Sequence, residues 1–374
     1  MDYVRSVLPA EVPEPESSMN DVEKYQFDLN GYLLLKGILD PDSVARCLAA
    51  SNTLEDRIRS TIDDEPHFIG HYGLRYHYDE ELGYCSYVTN HGGGGSQYIV
   101  DDILNADPAF DALVGHAATM KYVEELALGP LRISSSELRY RDRGNITGSH
   151  MGGPIDSRNQ YQFVGGPFMD SESGGSTRRD FNLLTVRIMY ALHDVPMENG
   201  PLCVVPGSHK ANFHAPYGGK DPLKEPGMIG VPMQAGDAIL FTENLRHGGF
   251  PNVLDRTRKT IHICFGPVWA SSQSPAHWNG FVHVTEAAWA RYSEAQRALL
   301  PPPSAGGTMV PGSDPSGVTV GTAQTIQRLR NEVAVLQERM AKLEDDLAYA
   351  RRVTLCARID DIVRRLRLLT NRHA

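Results

Sequence analysis

The chain has 374 residues, 41% of them apolar and 22% charged, the balance of a soluble globular protein with one large core, or one domain and an appendage. A formal net charge of −10 tells against a nucleic-acid partner, and the one basic block, Arg364-Arg365-Leu366-Arg367, belongs to a terminal helix. No apolar run is long enough to span a bilayer, and Cys47, Cys85, Cys203, Cys264 and Cys356 form no CxxC pair, so a cytoplasmic protein with buried free thiols and no membrane partner is expected.

Residues 1–20, with Pro9, Pro13 and Pro15, read as a flexible leader. Structure begins at Phe27–Lys36, whose second half is a strand by composition behind an Asn30-Gly31 turn. Asp40-Pro41 then supplies a helix cap with proline at the first helical position, and a helix through Leu48 and Leu54 follows. The aromatic, His- and Gly-rich stretch from about 65 to 105 reads as loops and short strands, and helical patterning resumes over Pro108–Leu128.

Short apolar strands are expected at 131–140, 183–193, 201–205, 238–242 and 259–268, separated by Gly/Pro turns. That pattern favours a mainly β fold with flanking helices, closed as a double-sheet jelly roll rather than a βαβ sheet. The domain spans 21–300, and a Pro/Gly linker covers 301–320. Beyond it, over 321–372, Ile326, Leu329, Val333, Leu336, Met340, Leu343 and Leu347 repeat at alternating spacings of three and four. This is a heptad seam, so a C-terminal coiled-coil helix joining two copies as a dimer is expected, the alternative being a helix packed on its own domain.

The chemistry concentrates at two histidines and an arginine. His247 follows the apolar strand residues Ala238-Ile239-Leu240-Phe241, which places it at a barrel mouth, and Arg258 lies eleven residues on (258 − 247 = 11). His150 stands upstream in Ser149-His150-Met151-Gly152-Gly153-Pro154. Two neutral imidazoles on facing strands can hold Fe(II), and a guanidinium nearby can grip the carboxylate of a chelating 2-oxo acid. The usual iron triad adds a carboxylate, which here would stand two residues after His150, where the chain has Gly152.

These residues, with Phe27–Lys36, the segment Glu198-Asn199-Gly200-Pro201-Leu202-Cys203-Val204-Val205-Pro206-Gly207-Ser208-His209-Lys210 and Ala235-Gly236-Asp237, resemble the phytanoyl-CoA dioxygenase family from about residue 22 to about 268. The resemblance implies a double-stranded β-helix (jelly-roll, cupin-like) core using Fe(II), 2-oxoglutarate and O2, with His150 and His247 as iron ligands. Family spacing selects Arg258 over its neighbour Arg256 as the 2-oxoglutarate clamp. The His-x-Gly variant also resembles the iron- and 2-oxoglutarate-dependent halogenases, in which a small residue leaves a coordination position for chloride.

Three occupants compete for the position vacated at Gly152: chloride, another acid such as Asp156 or Glu243, or water. Arg187, in a core strand, either meets 2-oxoglutarate, a halide or an acidic substrate, or faces outward. His209 has a structural role, His193, His214, His262 and His277 carry no assigned role, and the 155–181 insertion is a candidate lid. The functional expectation is oxidation, by hydroxylation, of an unactivated C–H bond in a small molecule, with halogenation as the variant. A non-catalytic coiled-coil scaffold with a vestigial pocket is the rival of another class. A zinc hydrolase is disfavoured, since two histidines make a poor zinc site.

Overall fold

The computed structural model describes residues 18–303 except 70–73, 90–93, 128, 152–162, 165–179, 182, 212–214 and 270–281. All of them lie in one compact unit, 1–313. The expected leader, most of the linker and the coiled-coil helix lie outside the described residues, as do Gly152, Asp156, His214 and His277.

The first helix, α1 (Asp21–Asn30), starts with a capping box: the Asn20 side chain accepts from the Glu23 amide while Glu23 accepts from the Asn20 amide. Gly31, at φ 80°, ends it and turns the chain into β1 (Tyr32–Leu35). The helix takes in Phe27–Asn30, so the Asn30-Gly31 pair is a helix cap rather than a free turn. The predicted Asp40 cap opens α2 (Pro41–Thr61), which buries Val44, Cys47, Ser51, Leu54 and Ile58 at helical spacing.

Four strands follow, β2 (Phe68–Ile69), β3 (Arg75–Asp79), β4 (Tyr84–Thr89) and β5 (Gln97–Asp101). The short α3 (Ile103–Ala106) comes next. The single helix expected over Pro108–Leu128 is instead a 3-10 turn, Pro108–Leu113, and α4 (Ala117–Leu126). Gly115 at φ 68° separates them, a backbone state outside the helical region.

The remaining strands are β6 (Leu131–Arg141), β7 (Thr147–His150), β8 (Phe163–Val164), β9 (Asp180–Phe181), β10 (Val186–Ala191), β11 (Leu202–Val204), β12 (Ile229–Val231), β13 (Ala238–Thr242), β14 (His247–Gly249) and β15 (Arg258–Pro267). Two short helices, α5 (Glu286–Arg291) and α6 (Glu294–Arg297), close the described chain. No helix among the described residues is long and apolar enough to cross a membrane.

The strands form a nine-stranded sheet ordered β1-β13-β10-β15-β6-β5-β4-β3-β2 and a four-stranded sheet ordered β12-β11-β14-β7, with β8 and β9 pairing separately. From β6 to β15 the chain alternates between the two: β6 large, β7 small, β10 large, β11 and β12 small, β13 large, β14 small, β15 large. All the pairings within these two sheets are antiparallel, and the alternation is the connectivity a jelly roll requires.

Strand periodicity then decides the two faces of the large sheet. Leu138, Tyr140, Ile188, Tyr190, Leu240, Ile261 and Ile263 pack with the helices in the main core. Met189, Ala191, Ile239 and Phe241 point the other way, meeting Leu202, Val204 and Val231 of the small sheet. The same inward parity carries Arg139, Arg141, Arg187, Arg258 and His262, which line a cavity between the sheets. Polar groups on core-facing positions cost several kcal/mol each unless they are partnered, so this end of the barrel marks a site.

Candidate metal and anion site

His247 begins β14 and pairs in register with His150 at the end of β7. The two rings, distant in sequence, stand 4.3 Å apart centre to centre and tilted by 57°. Each is oriented by its own strand: His247 Nδ1 lies 2.7 Å from the Leu245 carbonyl and His150 Nδ1 lies 2.9 Å from the Gly148 carbonyl. A carbonyl accepts only, so each Nδ1 carries the proton and each Nε2 keeps a lone pair. Burial, then the neighbouring His150, pushes the His247 imidazole down to about 3, which keeps it neutral. His150 sits at the exposed rim and His247 is buried.

The small sheet permits this pairing because β14 continues with Gly248 and Gly249. A Cβ on Gly248 would stand 2.8 Å from the Thr147 carbonyl, and one on Gly249 only 2.3 Å from Arg141 Nη1. The glycines let β7 and the Arg141 guanidinium lie against the strand that carries His247.

Facing the imidazoles is a buried acid–base chain. Arg187 donates through Nε to Glu243 Oε1 and through Nη1, at 3.1 Å, to Glu137 Oε1. Glu137 also receives Arg139 Nε at 2.7 Å. Burial alone would raise both carboxyls; the guanidiniums prevail, Arg187 holding Glu243 at about 2, and Arg139 with Arg187 holding Glu137 at about 2. Glu243 Oε2 lies 4.0 Å from His247 Nε2. Among the described residues, no three His, Cys, Asp or Glu side chains stand close enough to form a metal cage.

On the other side of the cavity, Arg141 and Arg258 pair across β6 and β15. Arg141, 1% exposed, spends its donors on the Asn145 side chain and on the carbonyls of Asn145, Gly200, Gly249 and Phe250. Arg258, also buried, gives Nη1 to the Gly200 carbonyl at 2.6 Å and, among the described residues, leaves Nε without a partner. Burial and then Arg141 disfavour the charge on Arg258, and among the described residues no carboxylate pairs with this guanidinium. At Gly200, with φ 65°, an added Cβ would stand 2.4 Å from the Phe250 carbonyl, so only glycine presents that shared acceptor here. The Asn199 amide beside it ties Asn252 and the Arg256 carbonyl together, which explains the Glu198–Leu202 motif.

Thus His150, His247, Arg258, Arg187 and Glu243 come together in one cavity. Arg187 meets Glu243 and Glu137, not solvent. Arg256 is exposed and donates to the Asp194 carbonyl, outside the cavity. His209 packs under Gly31 and contacts the Asp28 carbonyl, and His193 accepts from the Lys259 amide; both are structural. His262 lines the cavity, its Nε2 beside Thr260 Oγ1.

Glu137, Arg139, Arg141 and the Gly200 carbonyl were not singled out by sequence. The available signal was parity: Arg139 and Arg141 alternate with the apolar Leu138 and Tyr140 along one strand. A larger, open depression of about 570 Å³ near Lys36, Met233 and Arg256 lies elsewhere and brings together no imidazoles.

A two-sheet β-barrel with paired imidazoles and an anion-seeking arginine between the sheets defines the class. Residues 150–260, the interval bounded by His150 and reaching just past Arg258, match the family described as Phytanoyl-CoA dioxygenase (PhyH). Solved structures similar to the chain include HygX from Streptomyces hygroscopicus with nickel, 2-oxoglutarate and hygromycin B bound (18% identity, 68% of this chain, 90% of that one, TM-score 0.47). Others are AviO1 from Streptomyces viridochromogenes Tue57 (19%, 66% and 94%, TM-score 0.43) and SnoN, a non-heme alpha ketoglutarate dependent epimerase from nogalamycin biosynthesis (19%, 67% and 83%, TM-score 0.40). No curated protein matches the chain.

Proposed function

We propose that the protein is an Fe(II)- and 2-oxoglutarate-dependent oxygenase with a double-stranded β-helix core, hydroxylating an unactivated C–H bond of a small molecule. The observation that carries this reading is the pairing of two backbone-anchored imidazoles with a buried arginine that meets no acid among the described residues. The donor set fits the metal: both Nε2 lone pairs are kept for it by the Nδ1 hydrogen bonds. It also fits the co-substrate, whose distal carboxylate would meet Arg258 in place of the missing counter-anion.

Iron, when bound, supplies the O2 activation that couples 2-oxo acid decarboxylation to C–H oxidation. The chain's own residues do the rest. His150 and His247 hold the ion, Arg258 orients the co-substrate, and Met189, Leu202 and Phe241 close the inner end against water. The heptad seam beyond residue 320 supports pairing of two copies through the C-terminal helix.

The test is succinate formation by anaerobically reconstituted protein on addition of O2. Formation that depends on iron and 2-oxoglutarate, and is lost in His247→Ala, is expected; none under any condition would leave the vestigial scaffold as the better reading. Products unchanged by chloride or bromide would remove the halogenase variant.

A further inference from the structure

We propose that Glu243 supplies the carboxylate ligand that position 152 lacks, with Arg187 as its positioning residue. The inference rests on the iron-site reading above and deepens it. Two donors bound to one first-row ion at 2.0–2.2 Å each can stand up to about 4.3 Å apart. Glu243 Oε2 and His247 Nε2 are 4.0 Å apart, so a single ion between them can touch both.

The two carboxylate oxygens have different tasks. Oε1 is taken by Arg187 Nε, whereas Oε2 makes no hydrogen bond among the described residues and faces the imidazole. A carboxylate that ligates through one oxygen while a neighbouring guanidinium holds the other is the arrangement that orients metal ligands. Arg187 is in turn fixed by Glu137, so its guanidinium cannot swing with Glu243 alone.

Charge supports the same assignment. A divalent ion with two neutral imidazoles, one carboxylate and a dianionic 2-oxo acid carries a net −1, which Arg258 cancels. Glu243 lies on the turn after β13, so it can offer the ion a carboxylate whatever residue stands at 152.

The experiment titrates full-length apo-protein anaerobically with Co(II) alone and records affinity and ligand-field spectrum for wild type, Glu243→Gln, Glu243→Asp and His247→Ala. Glu243→Gln, which keeps a hydrogen-bond acceptor for Arg187, should weaken Co(II) by at least about 100-fold and alter the spectrum. Glu243→Asp, shorter but still anionic, should fall between, and serves should the Gln variant not fold. Wild-type affinity and spectrum in both Glu243 variants, with loss in His247→Ala, would overturn the Glu243 assignment and leave the histidine site standing. Wild-type binding in His247→Ala as well would overturn both. Iron–bromide scattering in the X-ray absorption spectrum of the wild-type Fe(II) protein in bromide would likewise overturn it.

Discussion

The two sides of the cavity handle buried positive charge differently. Arg187 is surrounded by carboxylates, Glu243 and Glu137, whereas among the described residues Arg258 has a single carbonyl partner and a guanidinium nitrogen with none. Arg187 is complete within the fold and serves stability and orientation. On the proposed reading, Arg258 is completed by the carboxylate of 2-oxoglutarate, and its charge serves binding. One residue type on one sheet face thus does structural or functional work according to whether an acid stands beside it.

Substitutions can break that contrast, beginning with the largest effect. His247→Ala should bring iron-dependent succinate formation to background while the protein stays folded by circular dichroism. Arg187→Leu should cost roughly 3–5 kcal/mol of stability in urea denaturation, because it strands the buried Glu243 carboxylate. Arg258→Leu should leave stability unchanged or raised, since it removes an uncompensated buried charge. The same change should raise the KM for 2-oxoglutarate roughly 10- to 150-fold, the worth of charged hydrogen bonds of about 1.5–3 kcal/mol.

His209 sharpens the contrast from outside the cavity, as a histidine that serves the fold alone. Burial, then Lys210, lowers it to about 4, below its ordinary value, so the unfolded chain binds its proton first. Its contribution is present above about pH 6.5 and is lost as pH falls toward 4, by roughly 3 kcal/mol. His209→Gln should flatten the stability profile over that window and leave the KM for 2-oxoglutarate unchanged. Smallest of all, the exposed Arg256→Ala should change stability by no more than about 0.5 kcal/mol and leave that KM unchanged.

What was legible in the sequence follows the range of the interactions. The Asp40-Pro41 helix start, the strands at 131–140, 238–242 and 259–268 and the spacing from His247 to Arg258 are local patterns, and the structure repeats them within a residue or two. The break at Gly115 and the capping box at Asn20 are local too, but each turns on one side chain or one backbone angle that periodicity averages away. Strands of three or four residues, such as β7, β12 and β14, are too short to show a period and are defined only by pairing with one another and with β11.

By itself, the sequence determined which residue types could do the chemistry and which strands would carry them, since periodicity and motif spacing are written along the chain. Only the tertiary structure decided that His150 pairs with His247, that Arg187 is neutralised while Arg258 is not, and that Glu243 faces the imidazoles. Those facts depend on strand register and on desolvation between two sheets, where a partner's presence or absence sets the energy of a charge, and neither quantity exists until distant segments meet.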